Sequence, residues 1–197
     1  MPVPSRPPGR PREVDVAAVA RIAVDLFTER GYDRITLDDV AAAAGISRRS
    51  LFNHFPAKVD LLWSGFEQYT DRLHERLSRP APGERGLADV VVGAMLGALD
   101  DLGDDGLALA RARLRVVAAH PDTAAAGQRV VTATRSVLLS FLRTHLEDDL
   151  ASRCVAGGLA AAVYEAMVWW AVGDAASPAE PVTVGLRALL DGHLGRR

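Results

Sequence analysis

TLDDVAAAAGISRRSLFNHFPAKVDLL, residues 36–62, reads as two short helices across a sharp turn, with a pair of arginines opening the second. Thr36 is placed to cap the first helix through its hydroxyl. Asp39, three residues on, serves as the short analogue of a capping-box glutamate, and both acids of the first turn meet the positive helix end. Val40, Ala41 and Ala44 form a small apolar face, and Gly45 supplies the positive φ that turns the chain out of the helix. Ser47 is the natural N-cap of the second helix. Arg48, Arg49 and Ser50 then fill its first turn, which is the part of a helix-turn-helix that faces base edges, and Leu51, Phe52 and Phe55 anchor it.

An amphipathic helix ending LFTERGYDRITLDDVA precedes the turn, AGIS occupies it, and LFNHFPAKVDLL leaves it. On these three cues the first third of the chain resembles the tetracycline-repressor (TetR) family of bacterial transcription regulators. The resemblance implies a recognition helix set in the major groove and phosphate contacts from His54 and Lys58, the only lysine in the chain. The family usually has tyrosine where this chain has Phe52, so one hydroxyl-to-phosphate bond is missing from the pattern. The expected DNA-contacting set is Thr36, Ser47, Arg48, Arg49, Ser50, Phe52, Asn53, His54 and Lys58.

Each of these residues has a plainer reading. An arginine pair is most often solvated charge, Phe52 and Phe55 fit a small core, and Thr36 is a cap whose hydroxyl also lies within reach of a phosphate. Arginine at the start of a recognition helix binds guanine O6 and N7 bidentately or grips phosphate. Spacing does not assign which arginine does which.

The 197 residues carry 49% hydrophobic side chains, enough for a sizeable core, and a net charge of −2. The sum argues against a nucleic-acid partner, but the distribution does not. MPVPSRPPGRPR contributes Arg6, Arg10 and Arg12 without an acid, and the segment from Gly45 to Lys58 adds Arg48, Arg49 and Lys58 without one. The proline-rich arm reads as extended. It either lies along the DNA backbone or minor groove or makes no contact.

A single cysteine excludes an intramolecular disulfide, and the N-terminus lacks the apolar run of a secretory signal, so a cytoplasmic location is expected. Cys154 reads as a buried small hydrophobe. The segment Cys154 to Gly173, CVAGGLAAAVYEAMVWWAVG, imitates a membrane span. Its alanine and glycine content, and Glu165 at an insertion cost of about 2.5 to 3.5 kcal/mol, favour a helix buried on nearly all sides of a bundle, with no membrane partner.

Periodicity makes the whole chain helical, an all-α fold with an N-terminal helix-turn-helix domain and a C-terminal bundle. The first helix runs from Glu13 to Arg30, with Val16, Val19, Ala23, Leu26 and Phe27 inward. A long fourth helix is predicted from Pro56 to about Leu77 along the seam Val59, Leu62, Phe66, Tyr69, Leu73 and Leu77. It ends at the PAPGERG stretch, Pro80 to Gly86. Further helices are expected near residues 87–102, 106–119, 122–146, 148–172 and 178–194. The domain division is a basic arm at 1–12, the helix-turn-helix at 13–61 and a second domain at 62–197.

The resemblance makes that second domain a ligand-binding and dimerisation unit. Gly157, Gly158, Ala161 and Ala162 permit close helix approach, and Val163, Val182, Leu186, Leu189 and Leu190 supply apolar contact for an isologous homodimer. Two recognition helices would then stand about 34 to 36 Å apart on a pseudo-palindromic double-stranded operator. Aromatic and polar residues inside apolar helices pick out Tyr164, Glu165, Met167, Trp169, Trp170 and Met95 as cavity candidates. Arg111, Arg113 and Arg115 accompany them, although three alternating arginines cannot share one helix face. The expected effector set is Met95, Arg115, His120, Tyr164, Glu165 and Trp169.

ARLRVVAAHPDTAA and GISRRSLFNHFPAK are also similar to the mycofactocin-regulator branch of the family. That implies a small-molecule effector of acyl-coenzyme A type, with an arginine near His120 on phosphate. No cofactor is expected. The five histidines are scattered, and the chain has no H-E-x-x-H, C-x-x-C, glycine-rich phosphate loop or G-x-S-x-G elbow to organise an enzyme. A ligand-responsive repressor is the expected function. The rival is an architectural helical protein that binds many sequences alike, where a regulator prefers its operator by about a thousandfold or more.

Overall fold

The computed structural model describes residues 14–79 and 86–194, so the basic arm with Arg6, Arg10 and Arg12 and most of the Pro80 to Gly86 stretch lie outside it. The described chain is all-helical. The first helix, α1 (Val16–Arg30), starts three residues later than its periodicity suggests, because the Asp15 carboxylate accepts the Ala18 N–H at 3.0 Å and caps it there. Next come α2 (Leu37–Ala43) and α3 (Arg48–His54). Val19, Ala23, Val24, Phe27, Val40, Leu51 and Phe55 are all buried, so these three helices carry a core of their own.

The single long fourth helix expected from the seam is two helices, α4 (Lys58–Trp63) and α5 (Glu67–Leu77). Ser64 is extended, with φ −72° and ψ 138°, and Gly65 takes φ +87°, which a side chain would resist. The Gly65 N–H is drawn off to the Glu67 carboxylate at 2.9 Å. Apolar spacing continues across the break because Trp63 and Tyr69 are buried on either side of it.

The second domain contains α6 (Leu87–Asp100), α7 (Gly103–Ala119), α8 (Ala124–Leu142), α9 (Asp149–Val172) and α10 (Ala179–Leu194). α9 packs between α7, α8 and α10, burying Ala156, Leu159, Ala160, Val163, Met167 and Trp170. It is the one described helix long and apolar enough to cross a membrane, but only 44% of its apolar window is buried. The expectation of burial on nearly all sides is therefore corrected. Leu150, Trp169 and Val172 stand exposed on α9, and Cys154, read as buried, is exposed beside them.

Arg111 and Arg115, one turn apart on α7, donate to the last carbonyls of α9. Arg115 Nε reaches the Ala171 oxygen at 2.7 Å, and Arg111 reaches the oxygens of Trp170, Ala171 and Gly173. Cations at a helix C-terminus satisfy orphaned carbonyls and oppose the negative end of the dipole. Arg115, expected in the effector set, is thus a helix cap.

Long-range polar contacts join the first three helices and α4 to the rest of the chain. The Trp63 indole N–H donates to the Thr123 carbonyl at 3.2 Å, Arg129 pairs with Asp60, and His120 Nδ1 lies 3.7 Å from Asp33. The His120 and Tyr32 ring centres also lie 5.1 Å apart, with the planes tilted by 46°. His120, expected in the effector set, thus stands at the junction with the turn after α1 and outside the residues that line the cavity described below.

Candidate nucleic-acid interface and effector cavity

The turn between α2 and α3 has the local chemistry its residues suggest. Thr36 Oγ1 accepts the Asp39 N–H at 3.2 Å, while the Thr36 N–H and hydroxyl donate to the Asp39 carboxylate at 2.8 and 2.6 Å. These bonds, the hydroxyl's foremost, hold the Asp39 carboxyl below its ordinary range. They also use the hydroxyl proton that a phosphate contact from Thr36 would need. Gly45 has φ +65°, and Ser47 Oγ accepts the Ser50 N–H at 3.1 Å to start α3.

Leu51 and Phe55 are buried and fix the inner face of α3. Arg48, Arg49, Phe52, Asn53 and His54 are exposed on the rest of it. Phe52 is 37% exposed, so it does not anchor the helix with Leu51 and Phe55. Instead the Arg48 guanidinium lies 5.3 Å from its ring centre and 3.0 Å from the Asp38 carboxylate. Arg49 forms no ion pair or side-chain hydrogen bond among the described residues. The two arginines are therefore unequal: one is already engaged, the other is free.

Lys58 departs from its expected role. Its ammonium donates to the carbonyls of Tyr32 at 2.8 Å and Ile35 at 3.1 Å and lies 4.1 Å from the Tyr32 ring centre. The side chain ties α4 to the turn after α1 rather than reaching for phosphate. Lys58→Met is accordingly expected to lower thermal stability by about 1–3 kcal/mol, the cost of losing hydrogen bonds from a charged donor to two carbonyls. It should leave the slope of DNA affinity against salt unchanged, which a binding titration across salt concentrations checks.

A cavity of about 470 Å³ opens where α1, the α4–α5 break, α7, α8 and α9 meet. Val16, Ala17 and Arg21 of the first helix line it, as do Ser64, Gly65 and Phe66 of the break. Leu109 and Arg113 of α7, Val130 and Thr134 of α8, and Val163, Tyr164 and Met167 of α9 also line it, with Tyr69 of α5 and Leu99 of α6. Of the expected effector residues only Tyr164 reaches this cavity. Met95 is wholly buried on α6, Glu165 lines a shallower recess with Arg135 and Cys154, and Trp169 is 62% exposed. Arg113, outside the expected effector set, is the buried cation of this cavity. Its signal was its place two residues from each of a pair, Arg111 and Arg115, that share the opposite face. Met167, picked out by the sequence, also lies in the wall.

Comparisons with known proteins agree with this architecture. Residues 21–63 match the profile of bacterial regulatory proteins of the tetR family, and residues 85–194, more than half of the chain, match the MftR C-terminal domain. The chain is 28% identical over 134 residues to a Mycobacterium tuberculosis protein assigned as the mycofactocin biosynthesis transcriptional regulator MftR, a match covering 68% of this chain and 67% of that one. It is 35% identical over 83 residues to the HTH-type transcriptional regulator CymR of Pseudomonas putida, covering 40% of this chain and 41% of CymR. Among solved structures, Thermus thermophilus FadR, a TetR family transcriptional repressor crystallised with lauroyl-CoA, superposes with a TM-score of 0.64 over 92% of this chain and 96% of FadR. At 23% identity that likeness is one of fold.

Proposed function

We propose, from the premise that this chain belongs to the TetR family of bacterial transcription regulators, that it acts as a homodimeric repressor on a pseudo-palindromic operator and is released by a small amphipathic effector. The observation that carries the DNA reading is the division of α3. Leu51 and Phe55 hold it rigidly from inside, leaving Arg48, Arg49, Phe52, Asn53 and His54 outward. The domain division, an arm at 1–12, a DNA-binding unit at 13–61 and a regulatory unit from 62 on, belongs to the same reading. So does a cytoplasmic setting, where chromosomal DNA is found.

The dimer is supported by an apolar face that the single chain leaves uncovered. Leu150, Trp169 and Val172 of α9 and Val184 and Leu189 of α10 are all exposed. Exposed apolar surface of this kind is what a self-complementary interface covers. Val182, Leu186 and Leu190 of α10, expected to share in that contact, are buried within the chain, and Val163 of α9 is buried in the cavity wall.

Release follows from linkage. The cavity touches α1 of the DNA-binding unit and the break between α4 and α5, so its contents bias the angle at which α3 is presented. An effector that binds the DNA-incompetent arrangement more tightly shifts the dimer toward it, and one that binds both equally changes nothing.

Selection of bound fragments from the source genome by the purified full chain is the test. The expected sites have two inverted half-sites with centres about one helical turn, or a multiple of it, apart. The free protein should run at twice its 21.0 kDa chain mass. Affinities that differ only a few-fold among unrelated duplexes would favour an architectural protein and overturn the proposal.

A further inference from the structure

The polar equipment of the cavity is lopsided. Arg113 is 6% exposed, yet it makes no hydrogen bond or ion pair with the described residues, and its Nε is enclosed without a partner. Its guanidinium lies 5.9 Å from the Phe66 ring centre, and Nη1 comes within 3.6 Å of where a Cβ on Gly65 would stand. Tyr69, on the same wall, buries a hydroxyl that also lacks a partner. Burial foremost, helped by Arg21 and opposed by Glu67, lowers the Arg113 pKa to about 10, so the group stays charged at neutral pH. An unpaired buried cation is among the costliest features a core can hold, and sites that destabilise a fold are commonly those kept for a ligand.

The remaining surroundings narrow the ligand. Leu99, Leu109, Val163 and Met167 make most of the wall apolar. At about 470 Å³ the cavity falls in the lower part of the range for small-molecule sites, roughly 300–1,000 Å³. A coenzyme A thioester brings a nucleotide with several phosphates, which calls for a cluster of cations. Among the described residues that line the cavity, Arg113 is the sole buried cation, and the one further arginine, Arg21, stands with Glu67 and Asp105 in the same lining.

Taking the cavity as the effector site of the preceding reading, we propose that it binds an amphipathic organic carboxylate as the free acid, with the apolar body against Leu109, Val163 and Met167 and the carboxylate on the Arg113 guanidinium. The fork of Arg113 can hold both carboxylate oxygens. Because Gly65 lies against that guanidinium, the anion is bound at the joint between the two helices that link the domains.

Calorimetric titration of the full chain tests this with octanoate, dodecanoate, hexadecanoate and naphthoate, each beside its matched alcohol, and with dodecanoyl-CoA. At least one acid is expected to bind about tenfold or more tightly than its alcohol, as a charge-assisted pair in a dry site should allow. The alkanoates and naphthoate distinguish an alkyl from an aryl body. Arg113→Met should abolish the preference, keep alcohol binding, and raise the unliganded Tm. The proposal is overturned if no acid outbinds its alcohol, if the preference survives Arg113→Met, if the variant melts lower, or if the thioester binds more tightly than the acid. The wild-type comparison stands even should the variant fail to fold. Selected operator sites that bind normally beside such a failure would leave the regulator reading intact.

Discussion

Trp63→Ala is expected to lower the free energy of unfolding by about 3–5 kcal/mol, the range for emptying a buried tryptophan site. In a chain of this size that is a fall in Tm on the order of 10 °C. Trp63 is the last residue of α4 and is 5% exposed. Its indole N–H holds the Thr123 carbonyl at 3.2 Å, and its ring meets Phe66 at 5.3 Å and Tyr164 at 6.2 Å between centres. A Cβ added to Gly127 would stand 2.6 Å from that ring, so α8 approaches the indole through a residue with no side chain. One side chain therefore joins α4, the turn before α8, α8 and α9.

Two companion variants separate the contributions at that joint. Trp63→Phe keeps an aromatic ring and loses the hydrogen bond, and should cost about 1 kcal/mol for the bond plus the lost ring volume. Gly127→Ala keeps the indole and crowds it, and should cost about 1–3 kcal/mol because a rigid ring cannot fold away from the new methyl. Thermal and denaturant melts of the three variants measure these differences. A Trp63→Ala protein within 1 kcal/mol of wild type would mean that the cavity collapses at no cost and that the joint is not held by the indole.

What could be read from the chain depended on how far each residue's partner lay along it. The Thr36 cap, its Asp39 reply, the Gly45 turn and the Ser47 cap each involve residues within about a turn of one another, so composition and spacing suffice. The α4–α5 break was hidden because apolar spacing runs straight through it. Gly65 was the only local mark, and a glycine in a helical pattern is often tolerated.

Lys58, His120 and Arg115 read as outward-facing in the sequence because each is polar and stands near a motif. Their partners Tyr32, Asp33 and Ala171 are 26, 87 and 56 residues away. The arginines of α7 show the same limit. Helical geometry correctly says that Arg113 cannot share a face with Arg111 and Arg115. It does not say that the pair would meet the end of α9 while the odd one turned into a cavity. The exposure of Trp169 and Cys154 was likewise beyond reach, since an apolar helix reads alike whether its neighbour is in the same chain or another.

Arg49→Ala is expected to cost about 1–3 kcal/mol of operator affinity, some 5- to 150-fold, and to relax base preference at one position of each half-site. Arg49 stands in the first turn of α3, exposed and without an ion pair among the described residues, so a base contact from it would cost no protein contact seen there. Arg48 must first leave Asp38, at 3.0 Å, and the Phe52 ring. With both partners of that pair more than half exposed, the ion pair is worth about 0–1 kcal/mol, a modest drag on binding. Arg48→Ala should therefore cost less than Arg49→Ala. Asp38→Asn, which frees Arg48 and removes a negative charge beside the outward face of α3, should tighten binding to operator and random duplex alike.

Titration of all three variants against a selected operator and a scrambled duplex, at two salt concentrations, decides the assignment. Loss at Arg49 confined to the operator marks a base contact. Equal loss on both duplexes with a shallower salt slope marks a phosphate contact. If neither arginine variant changes either affinity, α3 does not read DNA, and the rigid placement of its outward face by Leu51 and Phe55 would need another purpose.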